Sequence, residues 1–146
     1  MQKRLLTTEV VRNPMAHYDD ILAGVGGMGK PQEYLNHLIE GIHDGGLTLV
    51  MLYDAGVPIG AACYETHTNC NTGESYASQV FMYLKPAYRG EHGLAKRLDD
   101  ALQTEAKRTG HVRVCYTLPR GEQEPLEALL VKWGYESRLT TYVREL

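Results

Sequence analysis

The sequence predicts an α/β (α+β) domain with a mixed central β-sheet flanked by helices. Three observations carry this reading. Apolar residues recur at helical spacing in Tyr34, Leu35, Leu38, Ile39 and Ile42, and again in Leu94, Leu98, Ala101, Leu102 and Ala106. Apolar, β-rich runs lie between them at residues 48–53 and 57–65, joined by the turn signal Asp54-Ala55-Gly56. A third run, residues 74–84, passes through Lys85-Pro86 and a glycine-containing turn straight into the second helical stretch. Taken in chain order, the runs give β-α-α-β-β-β-α-β-α-β, with the last segment open to division in two.

Residues 2–11 read as the first strand. Asn13-Pro14 marks a helix start, because proline fits the first helical turn, and the helix runs to about Leu22. Ala23-Gly24-Val25-Gly26-Gly27-Met28-Gly29-Lys30 breaks it. Pro31 opens a second helix, which Gly45-Gly46 stops. The hairpin 48–53/57–65 follows, then a polar loop at 67–73 and the strand 74–84. Helix 93–108 ends on Lys107-Arg108, cations at the negative helix end, with Gly110 as its cap. Residues 111–118 read as a strand. Residues 125–133 read as a short helix with Leu126, Leu129, Leu130 and Trp133 on one side. Gly134 ends it, and 135–145 are extended.

A length of 146 residues suits one domain, residues 1–146, able to bury its own core. No stretch approaches the roughly 20 apolar residues of a membrane span. The start, Met1-Gln2-Lys3-Arg4-Leu5-Leu6, has no long apolar core, so no secretory signal is expected. The odd count of three cysteines, Cys63, Cys70 and Cys115, reads as reduced thiols in the cytoplasm. A formal net charge of −3 gives no basic field for nucleic acid. No membrane partner is expected, and a homodimer is left open.

The segment from Val80 to Leu98 carries the chemistry. A strand ends at Pro86, a short turn holds Arg89, Gly90 and Gly93, and an amphipathic helix begins. Helix-start N–H groups lack intrahelical partners and carry partial positive charge, which suits a pyrophosphate. Gly90 and Gly93 let the backbone approach phosphate oxygens, and Arg89 adds a fixed, forked charge. A plain strand-to-helix connection has the same glycines.

Tyr88-Arg89-Gly90 and Gly93-Leu94-Ala95 resemble the pyrophosphate-gripping turn of the GNAT family of N-acetyltransferases, typically Arg/Gln-x-x-Gly-x-Gly/Ala. Arg89 to Gly93 is one residue longer than the commonest spacing: either Gly90 takes the first position or the turn bulges. The two-helix opening, the hairpin with Gly60 after Ile59, and Leu129-Leu130-Val131-Lys132-Trp133-Gly134-Tyr135 are also similar to family elements, in family order.

The resemblance implies acetyl-CoA as cosubstrate and an amine as acceptor, of a small molecule or a protein. It places cofactor contacts on Arg89, Gly90, Glu91, His92, Gly93, Leu94 and Ala95. It also implies a splayed strand whose backbone at Met82, Tyr83 and Leu84 pairs with the pantetheine arm, with an N–H near Met82 polarising the acyl carbonyl. The amine would attack directly, without a covalent enzyme intermediate. Two family features are missing. The strand before the turn reads Ser75-Tyr76-Ala77-Ser78-Gln79-Val80, without the usual glutamate base. Leu130 stands where a tyrosine often protonates the leaving thiolate, and Gln123 matches a common asparagine. Tyr116 and Tyr142 are the substitutes for that acid. The alternative implied is a non-catalytic acyl-CoA-binding or interaction domain of the same fold.

Other strings carry less. Gly24–Lys30 matches Gly-x-Gly-x-x-Gly and Gly-x-x-x-x-Gly-Lys, but both need a strand before them and here a helix precedes. Pro31 also replaces the hydroxyl residue of a phosphate loop. A loop overhanging the acceptor is the better reading. His67, Cys70 and Cys63 lack a second pair to complete a zinc pattern, so no metal is expected. Glu65, Glu74 and His67 are read as surface groups able to face an acceptor.

Overall fold

Strand β1 (Leu6–Val10) pairs antiparallel with β2 (Leu47–Asp54), β2 with β3 (Val57–Thr68), and β3 with β4 (Ser75–Leu84). Strand β5 (Val114–Cys115) closes the five-stranded sheet by running parallel to β4, in spatial order β1-β2-β3-β4-β5. Helices α1 (Tyr18–Val25) and α2 (Gln32–Asp44) sit between β1 and β2 in sequence. Helix α3 (Leu94–Arg108) connects β4 to β5, and α4 (Gln123–Lys132) follows. The computed structural model describes residues 4–91, 93–117, 123–138 and 142–146. They fall into two units: one to Tyr116, holding the sheet and α1 to α3, and one from Thr117 onward, holding α4.

Strand alternation sends successive side chains to opposite faces, and both faces of this sheet are apolar. Leu49, Met51 and Tyr53 of β2 join Ala61, Cys63, Phe81 and Tyr83 under Ile21 and Val25 of α1 and Leu35, Leu38 and Ile42 of α2. Val50 and Leu52 join Ile59, Ala62, Tyr64 and Ala77 under Leu94, Leu98, Leu102 and Ala106 of α3. The leucines of α3 are 0–3% exposed. Burial of each contributes roughly 1.5–3 kcal/mol, so apolar packing holds this helix.

Several boundaries differ from the sequence expectation. The first helix begins at Tyr18, because Asn13 Oδ1 accepts the N–H groups of Met15 and Ala16 and closes a turn ahead of it. Strand β3 runs on to Thr68, because its hairpin closes tightly: Asn69 N–H donates to Glu74 O at 2.8 Å and Gly73 N–H to Asn69 O at 2.7 Å. The strand expected at 111–118 shrinks to Val114–Cys115, and its residue 118 lies outside the described residues. On α4, Leu130 is buried but Leu129 is 42% exposed. The side chain of Leu126, expected on the same stripe, lies outside the description, as do residues 139–141 of the expected final strand. Among the described residues beyond α4 no strand forms. Tyr142 and Val143 there are exposed, without the apolar burial that stabilises a strand.

Candidate active site

One edge of β4 is paired along its whole length and the other is not. On the β3 side the register runs from Thr68↔Ser75 to Gly60↔Leu84. On the other side β5 meets only Ala77 and Ser78. Just past that point Tyr64 faces Gln79 and Cys63 faces Phe81, so Val80 is an extra residue in the ladder. Such a bulge bends the strand and increases its twist, here where β5 stops following. Beyond it, Lys85 N–H donates to Ile59 O at 2.9 Å. Antiparallel alternation then turns the N–H and C=O groups of Leu84 and Met82 away from β3, toward the open edge. The Leu84 carbonyl accordingly accepts Arg89 Nε–H at 2.8 Å. An edge of this kind is a template for another extended chain. Tyr83 differs from its neighbours. Its backbone faces β3, and its side chain, 8% exposed, packs beneath α1 and α2.

The open edge runs into the expected anion-binding turn. A 3-10 turn, Pro86–Tyr88, leads to Gly90 at φ +82° and Gly93 at φ +89°. Both are left-handed, a conformation that costs an L-residue roughly 1–2 kcal/mol. Gly93 is the N-cap of α3 and no side chain caps that end. Arg97 N–H closes the first turn onto Gly93 O at 3.0 Å. The N–H groups of Leu94, Ala95 and Lys96 therefore have no intrahelical acceptor and form the positive pole of the helix. The Leu94 side chain is buried, so it anchors the turn from below while its backbone is presented.

Arg89 is exposed, but it folds back. Its guanidinium carbon lies 5.2 Å from the centre of the Tyr83 ring while Nε holds the Leu84 carbonyl. Glu91 is held by Arg4 from the entry to β1. His92 lies outside the described residues. Gly27 meets the hydroxyl end of Tyr83 so closely that an added Cβ would come within 2.2 Å of its oxygen. The glycine-rich run thus lies against the end of β4. It forms a 3-10 turn after α1, not a strand-to-helix phosphate loop.

Tyr116 stands one residue past β5, at the fork. Its hydroxyl donates to Asp99 Oδ1 at 2.7 Å, and Gln103 Nε2–H donates to Asp99 Oδ2 at 2.7 Å. Asp99 is fully buried on α3. Sequence reading missed it, although it lies three residues before Leu102 and seven before Ala106, on the flank of the apolar stripe. Tyr142 is 92% exposed and belongs to the second unit. Glu65 pairs with Ser78 across the sheet and shares the α2 face with Cys63. Its carboxylate is half-exposed, with His67 Nε2 at 3.6 Å. Glu74 lies at the far hairpin end, 3.5 Å from Arg113. Burial pushes the Cys63 thiol up to about 12, and burial also raises Cys115, beside the fork. Neither thiol is a ready nucleophile.

The sequence model of the acetyltransferase (GNAT) family matches residues 15–135. The chain belongs to the GNAT acetyltransferase family. As a GNAT protein it is an N-acetyltransferase that takes its acetyl group from acetyl-CoA. No curated protein matches the sequence significantly. Solved structures share the GNAT fold over nearly their whole length. The aminoglycoside acetyltransferase AAC(6')-Iy, in complex with a bisubstrate analogue of CoA and acetylneamine, is 17% identical, with a TM-score of 0.77 over 97% of this chain and 99% of that one. A ribosomal-protein-alanine N-acetyltransferase from Brucella melitensis biovar Abortus 2308 is 14% identical, at 0.74 over 97% and 99%. A Trypanosoma brucei acetyltransferase is 17% identical, at 0.70 over 97% and 99%. Among the described residues, no helix of this GNAT protein is long and apolar enough to cross a membrane.

Proposed function

We propose that the protein transfers the acetyl group to a primary amine of a small molecule or protein by direct attack, at the fork between β4 and β5. The observation that carries this is the one-sided pairing of β4, whose open edge leads into the unfilled N–H groups of α3. Residues 89–95 would hold the pyrophosphate, and the outward backbone of Met82 and Leu84 would hold the pantetheine arm. Tyr83 would contribute its ring, as the platform under Arg89. When bound, acetyl-CoA supplies a thioester carbon that accepts the amine and a thiolate that leaves. The Met82 N–H is free to donate to the developing oxyanion. The raised thiols at Cys63 and Cys115 support transfer without an acyl-cysteine.

Proton handling divides the groups further. Tyr116 already shares its proton with Asp99, so its role at the fork is positional in this reading, and water protonates a thiolate whose pKa is ~8.5. Tyr142 remains a candidate only as a substitute for the family tyrosine that Leu130 replaces. One acetyltransferase domain over residues 1–146 is part of the proposal, supported by the family match to 15–135. Three free cysteines support a cytoplasmic setting, and the net charge of −3 supports partners other than nucleic acid. The similar folds include enzymes named for aminoglycosides and for a ribosomal protein, and both acceptor classes belong in a screen.

The test is thiol release from acetyl-CoA against an amine panel, followed by kcat/KM against pH for two acceptors. With no base on β4, the profile should follow the acceptor. It should rise to about pH 9 for an alkylamine of pKa ~10.4 and level near ~7.7–8.0 for an α-amine. A common bend near pH 6–7 would reveal an enzyme base, with Glu65 the first to mutate. CoA binding without turnover on any amine would favour the non-catalytic reading.

A further inference from the structure

The turn proposed to bind a pyrophosphate contains a carboxylate. Glu91 lies between Gly90 and Gly93, beside the helix pole that a doubly anionic group would occupy, and an uncompensated charge there would repel that group. It is not uncompensated. Arg4, 87 residues earlier, donates from Nε to Glu91 Oε2 at 3.2 Å and from Nη2 to Glu91 Oε1. The same guanidinium donates from Nη1 to Asp54 Oδ2 at 2.8 Å, and its carbon lies 4.7 Å from the centre of the Tyr88 ring. Asp54 is itself fixed, since its other oxygen accepts Leu5 N–H at 3.2 Å. The backbone around this entry is pinned twice more. Ala55 N–H donates to Leu5 O at 2.9 Å, and Arg97 of α3 donates to Leu6 O at 3.1 Å.

From this geometry we infer that Arg4 is a positioning residue for cosubstrate binding: it offsets the charge of Glu91 inside the phosphate turn, and Asp54 and the Tyr88 ring hold the guanidinium there. The inference rests on the reading of residues 89–95 as the pyrophosphate site. Arg4 acts through Glu91 and Tyr88 and touches no reacting atom. Its loss therefore raises KM for acetyl-CoA and leaves kcat and the KM of the amine unchanged. A purely structural clamp predicts something different, because removing both partners would then be no better than removing one.

The experiment is calorimetry of CoA binding, with steady-state kinetics, on wild type, Arg4→Ala, Arg4→Lys, Glu91→Gln and Arg4→Ala/Glu91→Gln. Arg4→Ala should weaken CoA about five- to tenfold, Arg4→Lys should lose less, and the double variant should return to within about threefold of wild type. A double variant as weak as Arg4→Ala, or an Arg4→Ala protein that binds CoA like wild type, overturns the inference. Gly93→Asp separates it from the reading beneath it. If Gly93→Asp loses CoA while Arg4→Ala does not, the turn stands and the role of Arg4 falls. If a folded Gly93→Asp protein binds CoA normally, the turn reading falls and the role of Arg4 falls with it.

Discussion

Residues 75–78 and residues 79–84 belong to one strand and have opposite surroundings. In the first stretch Ala77 and Ser78 lie in ladders with both β3 and β5, and the Ser75 carbonyl accepts Val112 N–H. The second is paired with β3 alone, and its outward groups at Met82 and Leu84 face no strand among the described residues. The difference begins past Ser78, where β5 ends, two residues before the inserted Val80. A strand interior is stabilised by satisfying its backbone. A strand edge left open is useful only if a ligand satisfies it instead. The comparison separates what the fold needs from what binding needs, and substitutions in the two regions should fail in different assays.

The largest effect is expected at the turn that continues the open half. Gly93→Asp places a carboxylate at the helix pole and a Cβ at φ +89°. It should reduce CoA affinity by at least ~100-fold, from a lost helix-pole contact and a new like charge together worth more than ~2.7 kcal/mol. Space is not the obstacle, since a Cβ there meets no atom within 4 Å. The domain should therefore keep its circular dichroism spectrum. Calorimetry checks the first statement and thermal melting the second. Unfolding of the variant would move Gly93 from the binding region into the structural one.

Most of this division was legible in the sequence, because the signals were local. Apolar, β-rich runs bounded by turn signals located β2 to β4, and period 3.6 located α2 and α3. The Pro86–Gly93 punctuation located the turn. The fork was not legible from periodicity. Val80 looks like any strand residue, and a bulge is a register relation between β4 and β3 that no single segment displays. Arg4 and Glu91 were equally hidden, being 87 positions apart. Asp99 carried a faint signal, an acidic residue flanking an apolar stripe. Its partner Tyr116 was singled out for a different reason, as a substitute acid. Of the final extended segment expected at 135–145, residues 139–141 lie outside the described residues, and the described Tyr142 and Val143 are exposed and form no strand.

An intermediate effect is expected where the two regions meet. Asp99 is the buried acceptor that ties Tyr116, just past β5, to α3. Asp99→Ala removes the acceptor that both the Tyr116 hydroxyl and the Gln103 amide use on α3, so it should lower the unfolding free energy by about 1–3 kcal/mol in urea. Asp99→Asn, which keeps an acceptor for Tyr116, should cost less. If Asp99 serves the fork as well, KM for acetyl-CoA rises in Asp99→Ala at temperatures where the protein is fully folded. A variant with unchanged stability would show that the carboxylate's burial cost cancels its hydrogen bonds, as happens at some buried charges.

The smallest effect belongs to the fully paired region and has the opposite sign. Tyr64 of β3 is 0% exposed, packed against α3 with its ring edge-on to His111 at 5.5 Å between centres. Among the described residues its hydroxyl is the one buried side-chain polar atom without a hydrogen-bond partner. His111 does not satisfy it, because its ring nitrogens are engaged by Thr66, Thr109 and the Ala106 carbonyl. A buried hydroxyl without a partner forfeits its hydration, a loss of about 1–3 kcal/mol. Tyr64→Phe removes that oxygen while keeping the ring, so no large cavity forms. The variant should be as stable as wild type or more stable, by up to ~1 kcal/mol, which corresponds to roughly 2–4 °C in Tm for a chain of this size. CoA affinity should not change, since Tyr64 faces Gln79, short of the outward backbone groups of Met82 and Leu84. Differential scanning calorimetry settles the sign. A loss of stability beyond ~1 kcal/mol would mean that the hydroxyl has a partner, with a buried water the first candidate, and that this half of the sheet is satisfied without exception.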